Sequence, residues 1–572
     1  MSIQDLRSKS LLFLLCMIYG SSNAQTLDLV FPLSGTGEDM ATAVDADQDG
    51  NIYVAGSYSG SMTLGSGSAS LALTSSGTMD GFIAKYDQLG GLIWAFGIGG
   101  SDYDEIFDVT VDDNAIHVTG YFKGTLDADP GPGTVWITSN GDKDILLAKY
   151  DLEGNLVWAH GIGGTGFPDQ GAAIALDGAE NIWISGSFRG TCDMDPGPGV
   201  FEIGGAQYNR TFLAKYSSEG QFIWAGSLGF HLVDFPERTS GLAVDGEDNV
   251  IITGRSQGIE DFDPGPGVHM LDNDSNRVSL FIAKYGPDGT LDWAHALPGW
   301  PNRKRSAVAV DAQGNVYTSA SFNGEFDLDP GPGEDIRSSF FTSDLTYVMK
   351  LNSTGQYEWA VDFSPMIGTA VPMGMTLDPL GNIYMTGNFF GSLDFNPGSG
   401  SNTMFSANDD WGDGFILILD PTGDYIWAGK ITSPEGRNAG MSIALDDQYD
   451  LLVSGSFGGS ADLDPFSGIE SYSSAGISDG FLVKIDMSLL TSADDGRSTS
   501  DGLLVYPVPA RTELNVVETT GERYHAEVLD ITGRCILETE LEGPKAVIDV
   551  SAFPSGMYTL RTNKALVRFI VE

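Results

Sequence analysis

The residues of this chain whose types and spacing could do chemistry are pairs of aspartates two positions apart. Asp127 and Asp129, Asp193 and Asp195, Asp261 and Asp263, and Asp327 and Asp329 each open the stretch Asp-x-Asp-Pro-Gly-Pro-Gly. Two carboxylates at i and i+2, with free carbonyls around the glycines, could supply oxygen ligands to Ca²⁺. The third acidic residue and the closing glutamate of an EF-hand loop are absent. Proline also restricts the aspartate before it, and aspartate side chains commonly cap turns. A structural turn is therefore favoured, with a Ca²⁺ site as the alternative.

Few other groups suggest a reaction. The chain has 6 histidines, all scattered, and no HExxH, GxSxG or paired-cysteine metal motif, so no catalytic residue is assigned. A carboxylate pair acting as acid and base could sit among the 78 acidic residues without any mark in the spacing. Trp300 with Arg303, Lys304 and Arg305 forms a basic, aromatic cluster on an acidic chain; a solvated loop is favoured, with contact to an anionic glycan or protein partner as the alternative.

The elements that must position these residues come as a repeat. Second strands are predicted to start near Ile52, Ile116, Ile182, Val250, Val316, Ile383 and Leu451, a period of about 66 residues. The fifth copy shows the unit: Ala307 to Asp311, a turn at Gln313-Gly314-Asn315, then Val316 to Phe322, the Asp-Pro-Gly turn, Thr346 to Leu351 and Tyr357 to Ala360. Four short alternating strands cannot bury both faces alone, which predicts stacking into a seven-bladed β-propeller. The seventh copy lacks its fourth strand, and Leu27 to Gly35 aligns with the fourth strand Leu92 to Gly100. The ring is thus expected to close 3+1, with the N-terminal strand pairing against Phe481 to Ile485.

Two positions recur once per copy. Trp94, Trp158, Trp224, Trp293, Trp359 and Trp427 are expected to pack between units, with Leu29 in their place where the N-terminal strand closes the ring. Lys85, Lys149, Lys215, Lys284, Lys350 and Lys484 are expected to face outward, with Ile418 in the sixth copy. Strand order predicts that the Asp-Pro-Gly turns share one rim with the loops between units, and those loops differ greatly from copy to copy.

Glycine, at 75 of 572 residues, fits an all-β chain with many tight turns. A net charge of -49 excludes nucleic acid and anionic membranes as expected partners. Residues 1–24 read as a signal peptide, and no transmembrane segment is predicted. The expected divisions are a propeller over 25–490, a polar linker over 491–502 and a small Ig-like β-sandwich over 503–572.

The repeats resemble the bacterial seven-bladed propeller repeat of SBBP type, through Asp80-Gly81-Phe82-Ile83-Ala84-Lys85-Tyr86 and Asp311-Ala312-Gln313-Gly314-Asn315-Val316-Tyr317. The tail resembles the type IX secretion C-terminal sorting domain, through Val505 to Pro509, Leu514 to Val516, Val528 to Arg534 and Phe553 to Tyr558. That second resemblance implies handling by the type IX secretion machinery and a secreted or outer-surface location. The reading that follows is a non-enzymatic binding protein that recognises a glycan or protein through one rim. The alternative is a polysaccharide-acting enzyme with carboxylates at the channel mouth.

Overall fold

The computed structural model describes residues 27–231, 241–273, 279–297, 306–339, 343–363, 365–408, 411–466 and 468–487. In the C-terminal part it describes 498–500, 503–506, 513–518, 524–530, 534–541, 545–553, 556–562 and 566–571. The predicted signal peptide and the cluster Trp300, Arg303, Lys304 and Arg305 lie outside the described residues.

Alternating apolar residues punctuated by glycine turns build antiparallel sheets of four consecutive strands. The first unit joins Asp39–Ala46, Ile52–Tyr58, Asp80–Tyr86 and Leu92–Gly100 in that order. The fifth joins Ala307–Val310, Val316–Phe322, Leu345–Leu351 and Tyr357–Phe363. In the last unit, Asn438–Leu445, Leu451–Phe457 and Asp479–Ile485 take their fourth strand from the other end of the chain. Leu27–Gly35 runs antiparallel to Asp479–Ile485, with Val30 opposite Val483 and Leu33 opposite Gly480.

Second and third strands are buried along their whole length in the first and last units, so each sheet has neighbours on both faces. The core consequently lies between sheets. Ile83 of the first unit, for example, shares one apolar cluster with Ile116, Leu146 and Tyr150 of the second.

The first strands surround a cavity of about 910 Å³. Val44, Val109, Ile174, Leu242, Val308, Met375 and Ile443, one from each unit, line it. Neighbouring first strands are tied sideways: Val111 N–H donates to Asp45 Oδ2 at 2.8 Å and Ile174 N–H to Asp108 Oδ2 at 2.9 Å. Val44 N–H donates to Ser442 Oγ at 3.4 Å, which joins the first and last units.

The C-terminal part forms two further four-stranded antiparallel sheets around Leu514, Val516, Val528, Ile548 and Leu560. Ser498–Ser500 already pairs with Leu503–Tyr506, so a strand begins inside the stretch expected to be linker. Cys535–Leu541 is a strand that sequence alone does not suggest.

Candidate functional site

The Asp-x-Asp turns use their carboxylates on their own backbone. Asp127 Oδ1 accepts from the N–H of Asp129 at 3.2 Å and of Val135 at 2.9 Å, and Asp129 Oδ1 accepts from Gly131 N–H at 2.8 Å. Asp193 and Asp195 repeat this on Phe201 and Gly197, and Asp261 and Asp263 on His269 and Gly265. Asp327 and Asp329 do so on Asp335 and Gly331. These are turn-capping bonds of the kind that aspartate supplies. Among the described residues, no three His, Cys, Asp or Glu side chains gather as a metal site would require.

The turn does not project from a rim, as the order of strands suggests. Gly99 and Gly100, at the end of one unit's fourth strand, pair with Asp127 and Leu126 of the next. Gly163 and Gly164 pair with Asp193 and Cys192, and Ser34 and Gly35 with Thr63 and Met62. Each hairpin therefore folds back along the preceding unit's outer strand and covers its edge. The residue between the two aspartates is the wedge: Ala128, Met194, Phe262, Leu328, Phe395 and Leu463 are all buried. Each belongs to an apolar cluster between sheets, and Leu64 does the same in the copy without aspartates. The recurring apolar type at that position was the signal for it.

Lys85, Lys215, Lys284 and Lys484 are buried rather than outward-facing, with their ammonium groups paired, while Lys149 and Lys350 are half-buried. Lys215 Nζ lies 2.8 Å from Asp177 Oδ2, Lys284 2.7 Å from Asp245 Oδ2, and Lys484 2.8 Å from Asp446 Oδ2. Burial opposes ionisation of Asp245, yet the Lys284 ammonium and the Asn249 amide together hold its carboxyl below the usual value.

Four of the repeated lysines, Lys85, Lys149, Lys215 and Lys284, reach across to the next unit. Lys85 Nζ and Trp94 Nε1 both donate to the carbonyl of Leu152, at 3.4 and 3.2 Å. Lys149 and Trp158 share the Ser218 carbonyl, and Lys284 and Trp293 share that of Ser353. Lys215 donates to Pro287 at 2.7 Å, while Trp224 packs on Gly289. A Cβ at Gly289, whose φ is +81°, would come within 2.3 Å of that indole. The tryptophans thus pack between units, as their periodicity predicts.

A second set of buried acids stands at the opposite ends of the strands. Asp104 accepts from Gly100 N–H at 2.6 Å and Lys123 N–H at 3.0 Å, and Asp169 from Gly164 at 2.7 Å and Arg189 at 3.2 Å. Burial, opposed by these bonds and reinforced by Asp80 and Asp144 of the preceding units, pushes both carboxyls up to about 7. Asp39 is raised to about 7 in the same way, with Asp479 facing it from the last unit.

Asp45, Asp108, Asp311, Asp378 and Asp446 line the cavity. Asp45, raised to about 6 by burial, is held by the N–H groups of Val111 and Ala46 and by the Thr110 hydroxyl. Asp311 caps its own turn through Gln313 and Asn315, and Asp378 through Leu380 and Asn382. Around them the wall mixes Val, Ala, Ile, Leu and Met with Thr and Ser and with Gln313, Asn315, Tyr317, Lys350 and Tyr449.

Comparison with known proteins adds the following. Residues 504–570 match the model of the Secretion system C-terminal sorting domain. An uncharacterized WD repeat-containing protein of Acanthamoeba polyphaga mimivirus is 25% identical over 449 residues, which is 64% of this chain and 31% of the relative. The chain therefore spans less than a third of that protein's length. The Pan2 WD40 domain of Neurospora crassa is similar at 9% identity, covering 78% of this chain and 89% of that one, with a TM-score of 0.33. PorZ, a surface component of the type IX secretion system of Porphyromonas gingivalis, is similar at 13% identity over 96% of this chain and 76% of its own, with a TM-score of 0.20. Among the described residues no helix is long and apolar enough to cross a membrane. The chain carries a type IX secretion C-terminal sorting domain and is a secreted or cell-surface protein.

Proposed function

We propose that the chain is a seven-bladed β-propeller closed by its N-terminal strand, followed by a small Ig-like sandwich that serves export, and that it acts as a non-enzymatic binding protein. The ligand is a glycan or protein, held by the loops that join one blade to the next. The observation that carries this reading is the use made of the repeated acids. The motif aspartates cap turns, Asp177, Asp245 and Asp446 neutralise buried lysines, and Asp104 and Asp169 fasten loops. Carboxylates committed in this way hold a scaffold and are not positioned for acid–base work. The aspartates of the Asp-x-Asp-Pro-Gly-Pro-Gly turns belong to that scaffold in this reading, and Ca²⁺ would be an addition to it. The blade-to-blade loops are the part that varies, and variation on a constant scaffold is where specificity resides.

The test uses the full secreted chain on a glycan array and in pull-downs from outer-surface extracts. The double variant Trp300→Ala, Arg303→Ala is expected to lose at least tenfold in affinity for the ligand so identified, with unchanged thermal stability. Turnover of a polysaccharide by the same preparation, abolished by exchanging a cavity carboxylate such as Asp311 for Asn, would replace the reading by the enzymatic one.

A further inference from the structure

We propose that the opening between the fifth and sixth units, continuous with the central cavity, is a binding site for a neutral saccharide of one or two rings. This goes beyond the rim reading, because the site lies at the other mouth of the cavity, among the turns that join first and second strands.

Three observations converge there. The first is a missing fastening. Lys350 stands where Lys284 stands in the fourth unit and lies over the Tyr317 ring as Lys85 lies over Tyr53, yet it pairs with Glu358 at 3.1 Å and does not reach the next unit. Among the described residues, neither Lys350 nor Trp359 donates to the carbonyl of Pro421, the counterpart of Ser353.

The second is the shape of the cavity. Lys350, Tyr317 and Pro421 all line it, together with Asp311, Asn315 and Asp378, so it extends outward at the one seam where the lysine is turned aside. The cavity as a whole, walled by all seven units, holds about 910 Å³, and this opening is one part of it.

The third is an aromatic side chain on the wall. Tyr449 (φ +62°) takes the left-handed position of the repeated turn, which is glycine in the first, fifth and sixth units and Glu180 and Asp248 in the third and fourth, and so places a ring at the cavity where those units place none.

The ligand class follows from the donors and acceptors present. Vicinal hydroxyls both donate and accept, and they meet carboxylate, amide and ammonium groups within one small area. The C–H face of a sugar ring suits the apolar surface of Tyr449, Leu380 and Pro421. Asp311 and Asp378 beside Lys350 disfavour a ligand that brings its own negative charge.

The experiment is isothermal titration of the full chain with glucose, galactose, mannose, N-acetylglucosamine and cellobiose, repeated on Lys350→Met, Leu380→Trp and Lys284→Met. At least one sugar is expected to bind, with affinity reduced tenfold or more by Lys350→Met and by Leu380→Trp. Lys284→Met is expected to lower the thermal midpoint and leave binding unchanged, whereas Lys350→Met leaves the midpoint nearly unchanged. Absence of heat with all five sugars overturns the proposal. So does binding that survives both cavity variants, or a midpoint that falls as far with Lys350→Met as with Lys284→Met. Because none of these variants touches the rim, failure here leaves the Trp300 and Arg303 experiment standing on its own.

Discussion

The seams after the first, second and fourth units and the seams after the fifth and sixth are built from the same strands but fastened differently. In the former, a lysine and a tryptophan from one unit donate to a single carbonyl of the next, and the lysine of the first and fourth units also neutralises an aspartate of its own. In the latter, Lys350 turns toward Glu358 and Ile418 replaces the lysine altogether. Apolar wedges are present on both sides, so the difference lies in the polar fastening alone. Repetition therefore sets the frame of the molecule, while departures from it decide where a seam can open.

The largest expected effect sharpens what the two arcs share. Phe262, at the seam after the third unit, where Lys215 donates to the Pro287 carbonyl, and Phe395, at the seam after the fifth, are buried wedges beside a fastened and an unfastened seam. Truncation of either to alanine should cost about 3–5 kcal/mol, read from denaturant unfolding. Similar losses at both would show that the wedge is common to all seams, and a much smaller loss at Phe395 would make the second arc looser than described.

A comparable effect tests what separates them. Lys284→Met leaves Asp245 buried without its cation, which should cost about 3–5 kcal/mol, while Lys350, paired with a half-exposed Glu358, should matter by less than about 1 kcal/mol. Equal losses would erase the distinction.

A smaller effect appears in the pH dependence. Asp39, Asp104 and Asp169 sit at three consecutive seams, and the same position is Ala370 and Asn438 in the sixth and seventh units. Their folded carboxyls are raised from 3.8 to about 7, so between those values the folded chain holds protons that the unfolded chain has released. Stability from these groups is fully present below pH 3.8 and falls as pH rises through about 7. Asp177 and Asp245, held below their usual value, act in the opposite sense: their contribution is present above pH 3.8 and is lost on further acidification. Thermal midpoints should therefore decline from about pH 5 to 8, and the triple exchange Asp39→Asn, Asp104→Asn, Asp169→Asn should flatten that decline. A slope unchanged by the exchange would assign it elsewhere.

Much of this frame was legible in the sequence. The period, the four strands of each unit, the packing tryptophans and the partner of the N-terminal strand all follow from short alternating runs and their spacing. The lysines were misplaced because strand alternation assigns a charged residue to solvent. The run Phe82-Ile83-Ala84-Lys85-Tyr86 is instead apolar on both faces, which is the mark of a strand covered on both sides. The wedge was overlooked because the two aspartates drew attention from the residue between them, although that residue is apolar in every copy. The cavity had no local signal at all, since its wall takes one strand from each unit and exists only once the units have been brought together.

Native-state hydrogen exchange, followed by mass spectrometry on fourth-strand peptides, tests the asymmetry of the seams most directly. Amides in Leu92–Gly100 and Leu156–Gly164, beside fastened seams, are predicted to be better protected than those in Tyr357–Phe363 and Tyr425–Ile431, beside unfastened ones. Equal protection in all four strands, or the reverse order, would contradict the account.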